Sequence, residues 1–236
     1  MRRGLLVASL LIGFCGIAVS SWGQEPVWLT AEGEGAGRAA ARFYGSEVMI
    51  DFAAELVVRG TLWLEGEPLA FEAMGTVQGG GHGSSATLDA TIWSTVVAEG
   101  TLETGEPVTL RGGISIEIRD ADLSSAAAGA GSGDFYLVVD ARGTALHVAG
   151  TVHGDASGGL VPPPADDPYA TVFSGTYSFR FDDAAVVDPA ASDPEAAPWG
   201  HLPWKISDWP EDLSEQLLQL LEPPPAPEEA ETGIEL

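Results

Sequence analysis

The stretch EVMIDFAAELVVRGTLWLE, residues 47–65, is apolar on one parity throughout. Val48, Ile50, Phe52, Ala54, Leu56, Val58, Gly60, Leu62 and Leu64 share that parity, while Glu47, Asp51, Glu55, Arg59, Thr61 and Glu65 fall on the other. A period of two belongs to a β-strand with one face in a core and one in water; a helical stripe repeats every 3.6 residues. The residues from Val48 to Leu64 would extend ~56 Å at ~3.3 Å each, well beyond an ordinary strand. A break or sharp bend is therefore expected near Ala53-Ala54 or Gly60.

The same period continues outward, from about residue 36 to 182. Leu69, Phe71, Ala73 and Val77 form one run, and Leu88, Ala90, Ile92, Val96 and Ala98 another. Val108, Leu110, Ile114, Ile116 and Ile118 follow, then Phe135, Leu137 and Val139, then Leu146, Val148 and Val152, and last Phe173, Tyr177, Phe179 and Phe181. Turn signals separate them at Glu65-Gly66-Glu67-Pro68, Gly79 to Gly83, Glu103 to Pro107 and Asp140 to Gly143. The small-residue segments from Ala126 to Gly133 and from Gly154 to Pro168 read as surface loops. About eight to ten strands joined by short turns make an all-β antiparallel meander, closed as a barrel or folded as a two-sheet sandwich.

An internal repeat sharpens this picture. The pattern apolar-x-Gly-Thr-apolar occurs at Val58 to Leu62, Ala73 to Val77, Ala98 to Leu102, Val148 to Val152 and Phe173 to Tyr177. Its glycines, Gly60, Gly75, Gly100, Gly150 and Gly175, all fall on the apolar parity. A missing side chain on the inward face lets a strand coil tightly or another backbone approach. Curvature of a closed sheet is the first expectation for these five positions, and the opening of an internal ligand cavity is the second.

Composition removes several function classes. Thirty-five acidic residues against 10 basic ones give a formal charge of −25, so the basic footprint of a nucleic-acid binder is missing and anionic lipid is repelled. One cysteine permits neither an internal disulfide nor a cysteine-based zinc site. A hydrophobic content of 45% argues against a globally disordered chain.

The chain begins with Arg2 and Arg3, an apolar run from Leu5 to Val19, and small residues at Ser20, Ser21 and Gly23. This is the grammar of a secretory signal, with cleavage expected after Gly23 or Ser20 and export to the periplasm, cell surface or exterior. Phe14 before Cys15 does not suit a lipoprotein signal. Loss of residues 1–23 would take Arg2, Arg3 and Cys15 but no acid, leaving a thiol-free and still more acidic protein.

The expected organisation is a signal over 1–23, a β domain over 27–182 and a Pro/Asp/Ala-rich linker over 183–207. An amphipathic helix over 208–222 and an acidic, disordered tail over 223–236 complete it. Asp208, Pro210 and Glu211 resemble a helix start, and Leu213, Leu217, Leu220 and Leu221 make one apolar stripe. So short a helix must dock, either on its own barrel or on a partner protein. Trp199, Trp204 and Trp209 precede or enter it at five-residue spacing.

No catalytic, metal or cofactor constellation emerges. His147 and His153 are ~20 Å apart along one strand, too far to share an ion, and fall on the polar face. His82 sits in a glycine run that reads as a hairpin loop. Asp120 and Asp122, Asp166-Asp167 and Asp182-Asp183 lack the spacing of a calcium loop. Gly-x-Ser-x-Gly and His-Glu-x-x-His are both missing. The expectation is an exported binding or structural module with no cofactor, its barrel holding an apolar small molecule. The alternatives are a small outer-membrane barrel or an extracytoplasmic hydrolase.

Overall fold

The computed structural model describes residues 29–119, 128–189 and 202–222. Eight strands run in chain order: β1 Leu29–Tyr44, β2 Glu47–Leu64, β3 Glu67–Ser84, β4 Asp89–Leu102, β5 Pro107–Ile118, β6 Ala128–Ala141, β7 Thr144–Val161 and β8 Thr171–Val186. Each pairs antiparallel with its neighbours in sequence, and β1 closes on β8 to complete a barrel. Closure leaves no sheet edge, which distinguishes the barrel from the sandwich. The expected signal over 1–23, with Cys15, and Asp120, Asp122, Trp199 and the expected tail over 223–236 lie outside the described residues.

One end of the barrel is tied by tight turns. Glu65-Gly66 and Arg142-Gly143 both place two successive residues at positive φ, the conformation that a two-residue hairpin with right-handed twist requires. The other end carries the turns at 45–46 and 85–88 and the connection at 162–170.

Several expectations are corrected. The bend in β2 does not interrupt its pairing: β2 and β3 stay in one register from Glu47↔Ser84 to Leu64↔Glu67. Small inward residues absorb the curvature, so the strand keeps its full length. The expected loop at Gly79–Gly83 is the second half of β3, and the turn comes after Ser84. Residues 128–133 and 154–161 are likewise strand, belonging to β6 and β7. Their glycines and alanines carry little hydrophobic signal, but they still alternate and still form ladders. Asp182-Asp183 is not in a loop. It sits within β8, where the register against β1 shifts between Leu29↔Ala184 and Ala31↔Phe181 and Asp183 adopts φ 53°. This bulge moves the inward parity from Phe181 to Ala184, and both are buried.

Two apolar clusters result. The larger fills the tight-turn half of the barrel with Leu56, Val58, Leu62, Leu110, Leu137 and Val148 among others. Phe135, Phe179 and Phe181 pack within it, with ring centroids 4.5 Å (Phe135–Phe181) and 4.9 Å (Phe179–Phe181) apart. The smaller cluster lies outside the barrel wall. There α1, Glu211–Leu221, lays Leu213, Leu217 and Leu221 against Trp93, Tyr136 and Val138, with Trp209 and Leu202 completing the contact. A side chain at Gly113 would stand 2.6 Å from Trp209 Cη2, so this outward glycine makes the seat for the helix. Leu220 is only partly buried and lies at the edge of the stripe. The helix starts later than the Asp208 cap suggested. Ile206–Asp208 form a 3₁₀ turn, and Pro210 takes the N-cap position without a side-chain hydrogen bond.

Candidate ligand cavity

The barrel interior is filled at one end and hollow at the other. A cavity of about 320 Å³ occupies the half facing the 45–46 and 85–88 turns. Bulky walls come from Ile50, Phe52, Ile92, Ile114, Ile116 and Phe173, and the cavity reaches the strand ends at Ser84, Leu88 and Asp89. Space is left because many other inward positions are small: Ala39, Ala54, Ala90 and Ala156, with Gly37, Gly131, Gly154 and Gly158. Gly37 and Gly158 both pair with Gly175, so a bare row crosses β1, β8 and β7.

Of the five repeat glycines, only Gly175 lines this space. Gly60, Gly75, Gly100 and Gly150 lie in the filled half, where each faces a neighbouring backbone. A Cβ at Gly75 would fall 1.9 Å from the Val97 carbonyl oxygen, and one at Gly100 equally close to that of Glu72. At Gly60 the Thr30 oxygen would be 2.2 Å away, and at Gly150 the Asp182 oxygen 2.6 Å. These four serve close strand approach and curvature. The cavity glycines that the repeat does not contain, on β1, β3, β6 and β7, follow the same parity rule. Those on β3, β6 and β7 lie in segments that resemble loops by composition.

Aromatic rings cap some of the bare positions. The Phe179 ring lies over Gly33, that of Phe52 over Gly79, and that of Tyr177 over Gly35. The β1–β2 ladder runs from Glu34↔Val57 to Gly37↔Ala54, skipping Gly35 and Ala36. There Tyr177 donates its hydroxyl to the Glu55 carbonyl at 2.6 Å. Burial pushes the Tyr177 hydroxyl up to about 12, so it stays a donor at neutral pH.

Alternation sorts the polar residues around the cavity. Arg38, Asp155, Ser157, Thr176 and Ser178 occupy outward positions, contributing backbone to the wall. Ser94 and Tyr177 are the polar residues on inward parity among the cavity's lining. Ser94 is 4% exposed, and its hydroxyl donates to the Ile114 carbonyl at a long 3.5 Å.

At the hollow end, Phe43, Tyr44, Leu88, Leu160 and Tyr169 are exposed. The 162–170 connection is held there by Arg42, whose Nε donates to Asp167 at 2.7 Å and whose other arm pairs with Asp51. The outer wall is charged. Arg59 bridges Glu34 and Glu72, each at 2.8 Å, and Arg180 pairs with Asp182 at 2.9 Å. An outer groove brings Glu32, Glu34 and Asp155 together with Arg59, His153 and Arg180, and both of its arginines are already paired with carboxylates.

The described histidines, His82, His147 and His153, stay apart. His153 is exposed and 3.8 Å from Asp182, while His82 lies on the outer face of β3 with its ring 5.0 Å from that of Trp93. The Nδ1 of His147 lies within hydrogen-bond distance of the hydroxyl of the fully buried Tyr136, 2.7 Å away. Among the described residues no group of three histidine, cysteine or acidic side chains is placed to hold a metal ion. A scan against protein-family models, a search of curated proteins and a search of solved structures each returned no significant match.

Proposed function

We propose that this chain is an exported binding module that carries an apolar small molecule inside its barrel. The observation behind this reading is the half-filled interior: a packed core ends abruptly in a cavity walled by isoleucine, phenylalanine, alanine and glycine. Its volume is about twice that of the ~150 Å³ apolar cavity that takes up benzene, and lies at the lower edge of the 300–1,000 Å³ typical of ligand pockets. Export rests on the Arg2-Arg3, Leu5 to Val19 and Ser20 to Gly23 pattern.

The outer wall weighs against the membrane-barrel alternative. Such a barrel turns an apolar band to lipid, whereas Glu34, Arg59, Glu72, Glu99 and Arg180 here face outward. Against the hydrolase stands the lining itself, in which Ser94 has neither histidine nor carboxylate on its inward parity to take a proton. Native mass spectrometry of gently purified protein tests the reading, paired with displacement of the neutral fluorophore N-phenyl-1-naphthylamine. Saturable binding that Ile92→Trp weakens at least ~10-fold by filling the space is the expected result. Absence of saturable binding, or equal binding by the filled variant, would overturn it.

A further inference from the structure

We infer that the cavity selects an uncharged apolar ligand bearing one oxygen function, which hydrogen-bonds to the hydroxyl of Ser94. This inference rests on the carrier reading above and specifies its ligand class. Ser94 stands one inward position from the packed core: Val96, the next residue on its parity, is buried against Val77. It therefore marks the floor of the hollow.

On one side Ser94 pairs with Gly79, which presents no side chain, and on the other with Ile114, whose carbonyl is its 3.5 Å acceptor. That distance is well beyond the 2.7–2.8 Å usual for a hydroxyl donor, so a full hydrogen bond is still to be made. A buried hydroxyl in an apolar wall costs free energy unless it finds such a partner. Tyr177, the other inward polar group at the cavity, already spends its hydroxyl on Glu55. Ser94 is thus the available polar handle, placed at the inner end where the head of a ligand would stop. No lysine, arginine or histidine lies on the inward parity of the lining, so a carboxylate or phosphate would be buried without a counter-charge.

Three probes of one shape test this: 2-ethylnaphthalene, 2-acetylnaphthalene and 2-naphthoate, titrated into the full chain, into Ser94→Ala and into Ser94→Thr. The near-isosteric Ala variant should keep the fold, and the Thr variant restores the hydroxyl. The preference for the acetyl over the ethyl compound should fall ~3–10-fold in Ser94→Ala and return in Ser94→Thr, the range one neutral hydrogen bond supplies. Naphthoate should bind at least ~10-fold more weakly than the acetyl compound. An acetyl-to-ethyl ratio unchanged by Ser94→Ala overturns the role of Ser94 while leaving the carrier reading intact. Naphthoate binding as tightly as the acetyl compound overturns the uncharged class. Failure of all three to bind overturns the carrier reading, and this inference with it.

Discussion

Inward glycines in this barrel differ in how closely their neighbours approach the missing side chain. At Gly75 the absent Cβ would meet the Val97 carbonyl oxygen at 1.9 Å and Ala98 Cα at 2.6 Å. At Gly154 the nearest atoms are 3.4–3.7 Å away, an ordinary contact bordering the cavity. Gly75→Ala should therefore cost about 1–3 kcal/mol, whereas Gly154→Ala should lie within about 0.5 kcal/mol of the parent. Urea unfolding of the two variants checks the contrast, and equal losses would refute it. His147 supplies a second test. Burial holds its imidazole below the ordinary value, opposed by Asp140 and Asp188 and reinforced by Arg111. The unfolded chain therefore binds this proton more readily than the fold. Stability is complete above the unfolded pKa of about 6.5 and declines as pH falls below it. The urea midpoint should fall between pH 7.5 and 5.5, and His147→Gln should flatten that decline. A slope unaltered by the substitution would remove His147 from the account.

Among the elements, β2 and α1 show what the sequence makes legible. The inward set from Val48 to Leu64 was readable because bulky apolar residues fill it almost without gaps. The first half of β6 and the second half of β7 were not, because Gly129, Gly131, Gly133, Gly154 and Gly158 occupy their inward positions and carry no hydrophobic signal. The strand period persists there in parity alone, and only the ladders to β5 and β8 reveal it. The leucine stripe of α1 was legible for the opposite reason, since Leu213, Leu217 and Leu221 repeat at helical spacing. Its seat was hidden, because Trp93, Tyr136 and Gly113 come from three strands whose outward faces meet only after closure. Leu217 is fully buried in that seat. Leu217→Asp should strip α1 from the wall and shift tryptophan emission to the red as Trp204 and Trp209 enter water. It should also open the 202–222 segment to proteolysis while the barrel's β signal persists. Unchanged emission would mean that this contact does not hold the helix.

For the molecule as a whole, the decisive feature is an interior divided between a solid half and a hollow half. Long strands need a large inward surface, and this chain supplies bulky residues for only part of it. The filled half, with Phe135, Phe181 and its ring of leucines and valines, anchors the barrel. That leaves the other half free to remain open without collapse. The chain carries 35 acidic against 10 basic residues, and Glu34, Glu72 and Glu99 are among those on the outer face of the barrel. Curvature and cavity both follow from inward glycines, which is why the five-fold repeat foretold the closed sheet but marked only one cavity position, Gly175. The most direct test is isothermal titration of the protein with 2-acetylnaphthalene at several temperatures. The account predicts one site per chain and a negative heat-capacity change from burial of apolar surface, both lost in Ile92→Trp. Heats that never saturate, or an identical isotherm from the filled variant, would contradict it.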